Sequence, residues 1–364
     1  MKAEQVRIKR DILENFCEQV FRRLKLTEAE AKISAEVLVA ADVRGIPSHG
    51  VGRLWRYVGG INTGLMIPDA SMEILRETPS SIVMDAHGAM GAYASHVMME
   101  KIIKKAADRG SAFGSVRNSN HFGIAAYYAM MAIEKDMIGI AMTNTAAMGA
   151  PTFGCQVKFG TNPLAFAAPA LKEKAFVLDM STAVVTRGKI EVYNRLGKKL
   201  PVGWAVDKTG RPARDAKEFL YNTLHRLGGG TLPLGGAGEK FGGHKGYGLA
   251  VMIDILCALL SGAPFGDEIM DTEASSARVS HFFGAISIDM FQAPQVFRHS
   301  MDRMLKSLRE TPPAEGEERV CFAGQKEFEA EEETMKTGVP LLKNTYDQIC
   351  EIGKEYSVSP PQIF

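Results

Sequence analysis

Between Ser81 and Met180 the chain alternates short apolar segments with amphipathic ones, and this alternation constrains the fold more than any other feature. Ser81 to Asp85, Gly114 to Arg117, Ile138 to Thr143, Leu164 to Ala168 and Phe176 to Met180 are apolar runs of strand length. Tyr93 to Ala107 and Ala125 to Glu134 read as helices between them, and one more strand is expected at Ala285 to Asp289. Strands interleaved with helices imply α/β or α+β architecture, a sheet that buries its faces against helices.

Helical segments flank this region. Ile8, Ile12, Phe16, Val20 and Leu24 recur every four residues, the spacing of an amphipathic helix. Thr27 with Glu30 forms a capping box for a second helix to about Val43, which Gly45 and Pro47 stop. Gly235 to Gly248 is glycine-rich and feeds Leu249 to Leu260, a nearly uninterrupted apolar helix expected to be buried. Beyond Pro294, Val296 to Leu308 reads as an amphipathic helix and Pro312 to Glu318 as a polar linker. The acidic run Glu327 to Glu333 precedes a final helix near Leu342 to Tyr356.

Composition narrows the function. With 364 residues, 46% hydrophobic and 23% charged, the chain is long for one simple domain and suits two interleaved ones. A formal charge of +1 with acids and bases well mixed lacks the basic footprint of a nucleic-acid binder. Cys17, Cys155, Cys257, Cys321 and Cys350 are widely spaced with no Cys-x-x-Cys pair, which argues against a disulfide framework and a zinc knuckle. No metal site is expected. The first residues carry charges without a signal-peptide core and no stretch is read as membrane-spanning, so a cytoplasmic protein is expected.

Two polar segments suit the oxidation of a small hydroxy acid. Ser48-His49-Gly50 is followed by Arg53 and Tyr57 at four-residue steps, which on a continuous helix would put His49, Arg53 and Tyr57 on one face. Asn118-Ser119-Asn120-His121-Phe122-Gly123 supplies a second histidine. Removing a hydroxyl proton wants a group that titrates near neutrality, and holding a carboxylate at two points wants a planar guanidinium. His87, His96, His225, His281 and His299 lack such company and read as structural. A hydride acceptor is needed as well, and nicotinamide is the commonest. The Rossmann fingerprint is missing, because Gly236-Ala237-Gly238-Glu239-Lys240-Phe241-Gly242 has one residue too many and follows a turn. Gly243-His244-Lys245 instead sits where backbone amides could meet an anion at a helix entry.

These segments resemble those of the type 2 malate/L-lactate dehydrogenase family. The resemblance rests on Ser48-His49-Gly50 with Arg53 and Tyr57, on Asn118 to Gly123, on Gly160-Thr161-Asn162-Pro163, on Asp179-Met180-Ser181-Thr182 and on Gly243 to Leu249, and it covers most of the chain. It implies a non-Rossmann nicotinamide-binding α/β fold with a mixed, largely antiparallel central sheet flanked by helices, and a helical N- and C-terminal region. It implies NAD, with NADP possible, as cofactor, and a homodimer with active sites near the subunit interface. An N-terminal helical and substrate or dimerisation region is expected over 1–118, a cofactor domain over 119–290, and a C-terminal helical segment over 291–364 packing back on the N-terminal region.

By the same resemblance, Asp179, Met180, Ser181, Gly243, His244, Lys245 and His121 would hold the cofactor, while Ser48, His49, Arg53, Tyr57, His121 and Asn144 would line the substrate side. His121 is the first candidate for the base and His49 the second. The expected reaction interconverts a 2-hydroxy acid and its 2-oxo acid, with malate and oxaloacetate leading. Reduction of a cyclic imino acid is the alternative, and a Schiff-base enzyme using Lys245 a remote one. The segment Asn144 to Gly154 and Ala323-Gly324-Gln325 depart from the family pattern.

Overall fold

A computed structural model describes residues 4–269 and 278–364 of the chain. Strand β1 (Gln5–Ile8) leads into helices α1 (Arg10–Arg23), α2 (Glu28–Val43) and α3 (Leu54–Asn62). Thr27 caps α2 as its spacing predicts: the hydroxyl accepts from Glu30 N, and the Glu30 carboxylate takes the Thr27 amide in return.

The centre is a seven-stranded sheet in the order β2-β3-β4-β10-β5-β6-β7. Its strands are β2 (Glu73–Glu77), β3 (Ser81–Asp85), β4 (Ser111–Ser119), β5 (Met137–Thr143), β6 (Leu164–Ala168), β7 (Phe176–Met180) and β10 (Val279–Ser287). Only β3 and β4 run parallel, joined by α4 (Gly91–Arg109), and the other pairs are antiparallel. The sheet draws strands from both sides of residue 118.

β10 is central; it starts and ends earlier than the expected strand Ala285 to Asp289, whose last two residues lie in a 3-10 turn. Val279 to Ala285 are all buried, so a strand covered on both faces shows no polar alternation to mark its beginning. Helices α4 and α5 (Ala125–Ile133) cover one face, seating Met98, Ile102, Tyr128 and Phe283 in the main core. Gly139 on β5 allows α5 to lie almost on the strand, because a Cβ there would overlap the Ala129 carbonyl oxygen.

Beyond β7 come α6 (Arg187–Arg195), the small pair β8 (Ala205–Val206) and β9 (Gly230–Thr231), α7 (Ala216–Leu224) and α8 (Gly243–Cys257). The chain closes with α9 (Pro294–Arg309), α10 (Gln325–Thr337), β11 (Val339–Leu342) and α11 (Lys343–Glu355). β11 pairs antiparallel with β1, and Val339, Ile349 and Ile352 complete a second core with Phe16, Phe21 and Leu38. The acidic run expected ahead of the last helix is itself helical, lying within α10.

Two expectations are corrected at α8. The helix was expected to be buried, yet only its inward face, with Ile253 and Cys257, is; Val251, Met252, Ile255, Leu259 and Leu260 stand exposed. Together with the turn that follows it, Gly243–Ser261 has 19 residues and a mean hydropathy of 1.3, so one segment does reach the length and apolarity of a membrane span.

Gly139→Ala tests the α5–β5 contact. The added methyl forces helix and strand apart and is expected to lower stability by about 1–3 kcal/mol, as overpacked cores do, read as a lower urea midpoint with unchanged slope. An unchanged midpoint would mean that the helix does not rest on this strand.

Candidate active site

The segment from Ser48 to Tyr57 does not form the continuous helix its spacing predicts. Ser48, His49 and Gly50 lie in a turn, Val51–Arg53 form a single 3-10 turn, and α3 begins at Leu54. Asp42, near the end of α2, is what folds the turn back. Its buried carboxylate accepts from Val51 N at 2.7 Å and packs on Gly50, where any side chain would overlap it. Burial pushes this carboxyl up to about 7, against the pull of the Val51 amide. Arg53 Nε donates to the Ser48 carbonyl at 2.6 Å, so the turn also fixes the guanidinium.

β4 ends at Ser119, and the loop after it brings the second histidine to the first. The His49 and His121 rings stack with centroids 5.5 Å apart. Tyr57, on α3, puts its hydroxyl 2.7 Å from His121 Nδ1, and the Gly123 amide donates to the same nitrogen at 3.3 Å. A backbone N–H can only donate, so Nδ1 is an acceptor, the Tyr57 hydroxyl donates to it, and the proton of the neutral ring sits on Nε2. Ser48 Oγ lies 3.0 Å from His49 Nδ1. The predicted face therefore converges, through a turn in place of a helix.

Electrostatics keep both rings neutral. Burial first, and the Arg53 charge second, push His49 down to about 4. The same two causes, joined by His49 and Arg56, hold His121 well below the usual imidazole range. Burial pushes the Tyr57 phenol up to about 12, so it stays a donor at neutral pH.

His281 is structural, as its sequence context suggests. It is fully buried, its ring nitrogens lie 2.8 Å from Thr143 Oγ1 and 2.8 Å from Ser119 Oγ, and Phe122 stacks on it at 4.6 Å. It ties β4, β10 and β5 together directly behind the loop that carries His121.

Ser48, His49, Arg53, Arg56 and His121 line one cavity of about 450 Å³. Asn144, Asp179, Met180 and Ser181 line it too, with Thr186, Arg187, Gly188 and Arg226. Asn144 spends its carboxamide on structure: its oxygen accepts from Ser280 N at 2.8 Å, and its nitrogen donates to Pro264 O. Asp179 accepts from Ala126 N at 2.8 Å, at the first turn of α5. Tyr57 reaches the site through His121. Gly243, His244 and Lys245 do not line this cavity; they form the first turn of α8, with His244 and Lys245 exposed.

Four further residues shape or line this site. Arg56 falls one turn after Arg53, a signal the sequence did contain, and Asp42 is the one acid in the apolar stretch Val37 to Val43. Arg187 and Arg226 sit among ordinary surface residues, and nothing in their local sequence marks them.

Paired imidazoles beside a fixed guanidinium, in a cavity whose only carboxylate among the described residues is Asp179, are groups suited to acid–base chemistry on a small anion. The model of the malate/L-lactate dehydrogenase family matches residues 8–350. A malate dehydrogenase of Pyrococcus abyssi is 43% identical over 97% of this chain and 96% of its own. An L-sulfolactate dehydrogenase of Methanocaldococcus jannaschii is 37% identical over 93% and 94%. The crystal structure of malate dehydrogenase from Entamoeba histolytica superposes with a TM-score of 0.93 at 33% identity, covering 99% of this chain and all of that one. The chain belongs to the malate/L-lactate dehydrogenase family and is a 2-hydroxyacid dehydrogenase.

Tyr57→Phe keeps the ring that packs edge-on against Phe21 and removes one of the two donors to His121 Nδ1. A net hydrogen bond of about 1–1.5 kcal/mol predicts a fall in kcat of roughly tenfold, with cofactor affinity unchanged by fluorescence titration. An unchanged kcat would mean that the contact is only packing.

Proposed function

We propose that the enzyme interconverts a 2-hydroxy acid and its 2-oxo acid with NAD or NADP, malate and oxaloacetate being the leading pair. The observation that carries this reading is the convergence of His49, His121 and Arg53 in one cavity, and the names of the relatives support it.

The cavity's residues fit a nicotinamide cofactor. It is also lined by Arg187 and Gly188 at the start of α6 and by Arg226, with open space around the Gly188 backbone, which suits phosphates. Asp179 and Ser181 line the same cavity and would take ribose hydroxyls. A sheet with one parallel pair supports a non-Rossmann mode of binding. When bound, the nicotinamide exchanges a hydride with C2 of the substrate.

The protein's own groups handle the carboxylate and the proton. Arg53 holds the substrate carboxylate next to C2. His121, with its proton on Nε2, donates to the reacting oxygen and fixes its position. His49 receives the hydroxyl proton on Nε2, with Nδ1 turned to Ser48. In this reading His121, the first candidate base, serves as the donor and His49, the second, as the base; the contacts of Gly123 and Tyr57 with Nδ1 of His121 support that assignment. A carboxylate on Arg53 offsets that residue's charge and lifts His49 toward the range in which it holds a proton.

The exposed apolar face of α8 is read as the surface that closes on a second copy. The Schiff-base alternative loses ground because Lys245 does not line the cavity.

A panel of initial rates at the nicotinamide absorbance band, crossing both cofactors with oxaloacetate, other 2-oxo acids and a cyclic imine, tests the reading. Oxaloacetate reduction is expected, and turnover of the cyclic imine alone would replace it. In the oxidation direction His49 must be neutral in the free enzyme. Its lowered pKa preserves that form as pH falls, so the acid limb of kcat/KM is expected below 6.5 and toward about 4. A limb at or above 6.5 would contradict His49 as the base.

A further inference from the structure

The cavity carries a second guanidinium that the chemistry at C2 does not use. α3 starts immediately after the 3-10 turn that ends at Arg53, so Arg56, three residues on, emerges on the same side of the chain. Leu54 and Tyr57 turn into the second core, Trp55 turns outward, and Arg53 and Arg56 line the cavity with both imidazoles. Arg53 Nε donates to the Ser48 carbonyl, beside His49, and the Arg56 guanidinium lies 5.9 Å from the Trp55 ring centroid.

A monoanionic acid needs one guanidinium beside C2. A dianion places a second acidic group a few ångströms further on, and burying it without a cation would be costly. We propose that Arg56 is the specificity-determining residue that binds this second acidic group, making the site selective for dianionic 2-oxo and 2-hydroxy acids, whose distal group is a carboxylate or a sulfonate, over monocarboxylates. This rests on the reading of the cavity as a 2-hydroxy-acid site and assigns to Arg56 the choice among such acids.

The test compares oxaloacetate with 2-oxobutyrate, which carries a methyl group in place of the distal carboxylate. In Arg56→Gln, kcat/KM for oxaloacetate is expected to fall about 10-fold to 100-fold, mostly through KM, the usual worth of a charge-assisted hydrogen bond. For 2-oxobutyrate it should change less than about threefold, so the same rates report that the variant is folded. Arg56→Lys should recover part of the oxaloacetate loss, since charge remains while the fork is gone. NADH affinity, read by fluorescence titration, should stay within about twofold of wild type in both variants.

Equal losses for the two acids, or a loss of NADH affinity with an unchanged ratio, would overturn the assignment and make Arg56 a structural residue or a phosphate ligand. A wild-type enzyme that reduces neither acid would overturn the hydroxy-acid reading and this inference together. A wild-type enzyme that reduces both, with a ratio insensitive to Arg56, would overturn only the inference.

Discussion

Two donors meet at one nitrogen of His121. The Gly123 amide and the Tyr57 hydroxyl both point at Nδ1, and since the amide cannot accept, the ring has a single neutral form available while they are in place. Protonating Nδ1 would set an N–H against an N–H, which works in the same direction as burial and the arginine charges. The tautomer in turn decides what His121 can do: its Nε2 offers a hydrogen and cannot take one. The proposed division of labour between the two imidazoles rests on this contact.

The fold spends much of its central sheet on making that contact. The loop bearing His121 leaves β4 at Ser119, whose hydroxyl pairs with His281 of β10, and His281 pairs across to Thr143 of β5. Phe122 lies flat on the His281 ring, so the loop rests on a floor made from three adjacent strands. The other wall comes from helices: Asp42 of α2 draws Val51 back, which presents His49 and starts α3 at the point that delivers Tyr57. Sheet and helices each contribute one imidazole, and the hydrogen bond between Tyr57 and His121, 64 residues apart, joins them.

Features coded within a few residues were legible in the sequence. The Thr27 and Glu30 capping box, and the strands Ser81–Asp85, Leu164–Ala168 and Phe176–Met180, stand where their local patterns put them. Features made by distant partners were not. β1 and β11 are short strands that exist through pairing with each other, and β2 is exposed along its whole length, so it has no apolar alternation to read. At the site, the residue types were legible and their geometry was not. Four-residue spacing suggested a helical face, whereas Pro47, Gly50 and the buried Asp42 produce a turn that brings the groups together by another route. Which nitrogen of His121 is occupied depends on Tyr57 and on a backbone amide, and no spacing rule encodes that.

The tautomeric state of His121 is therefore the quantity on which the account turns. Long-range proton–nitrogen correlation NMR on protein labelled with nitrogen-15 histidine, recorded through a pH titration without ligands, reads it directly. A neutral His121 ring with its proton on Nε2 and an accepting Nδ1, persisting well below pH 6.5, is expected. A ring that carries its proton on Nδ1, or that titrates near 6.5, would contradict it.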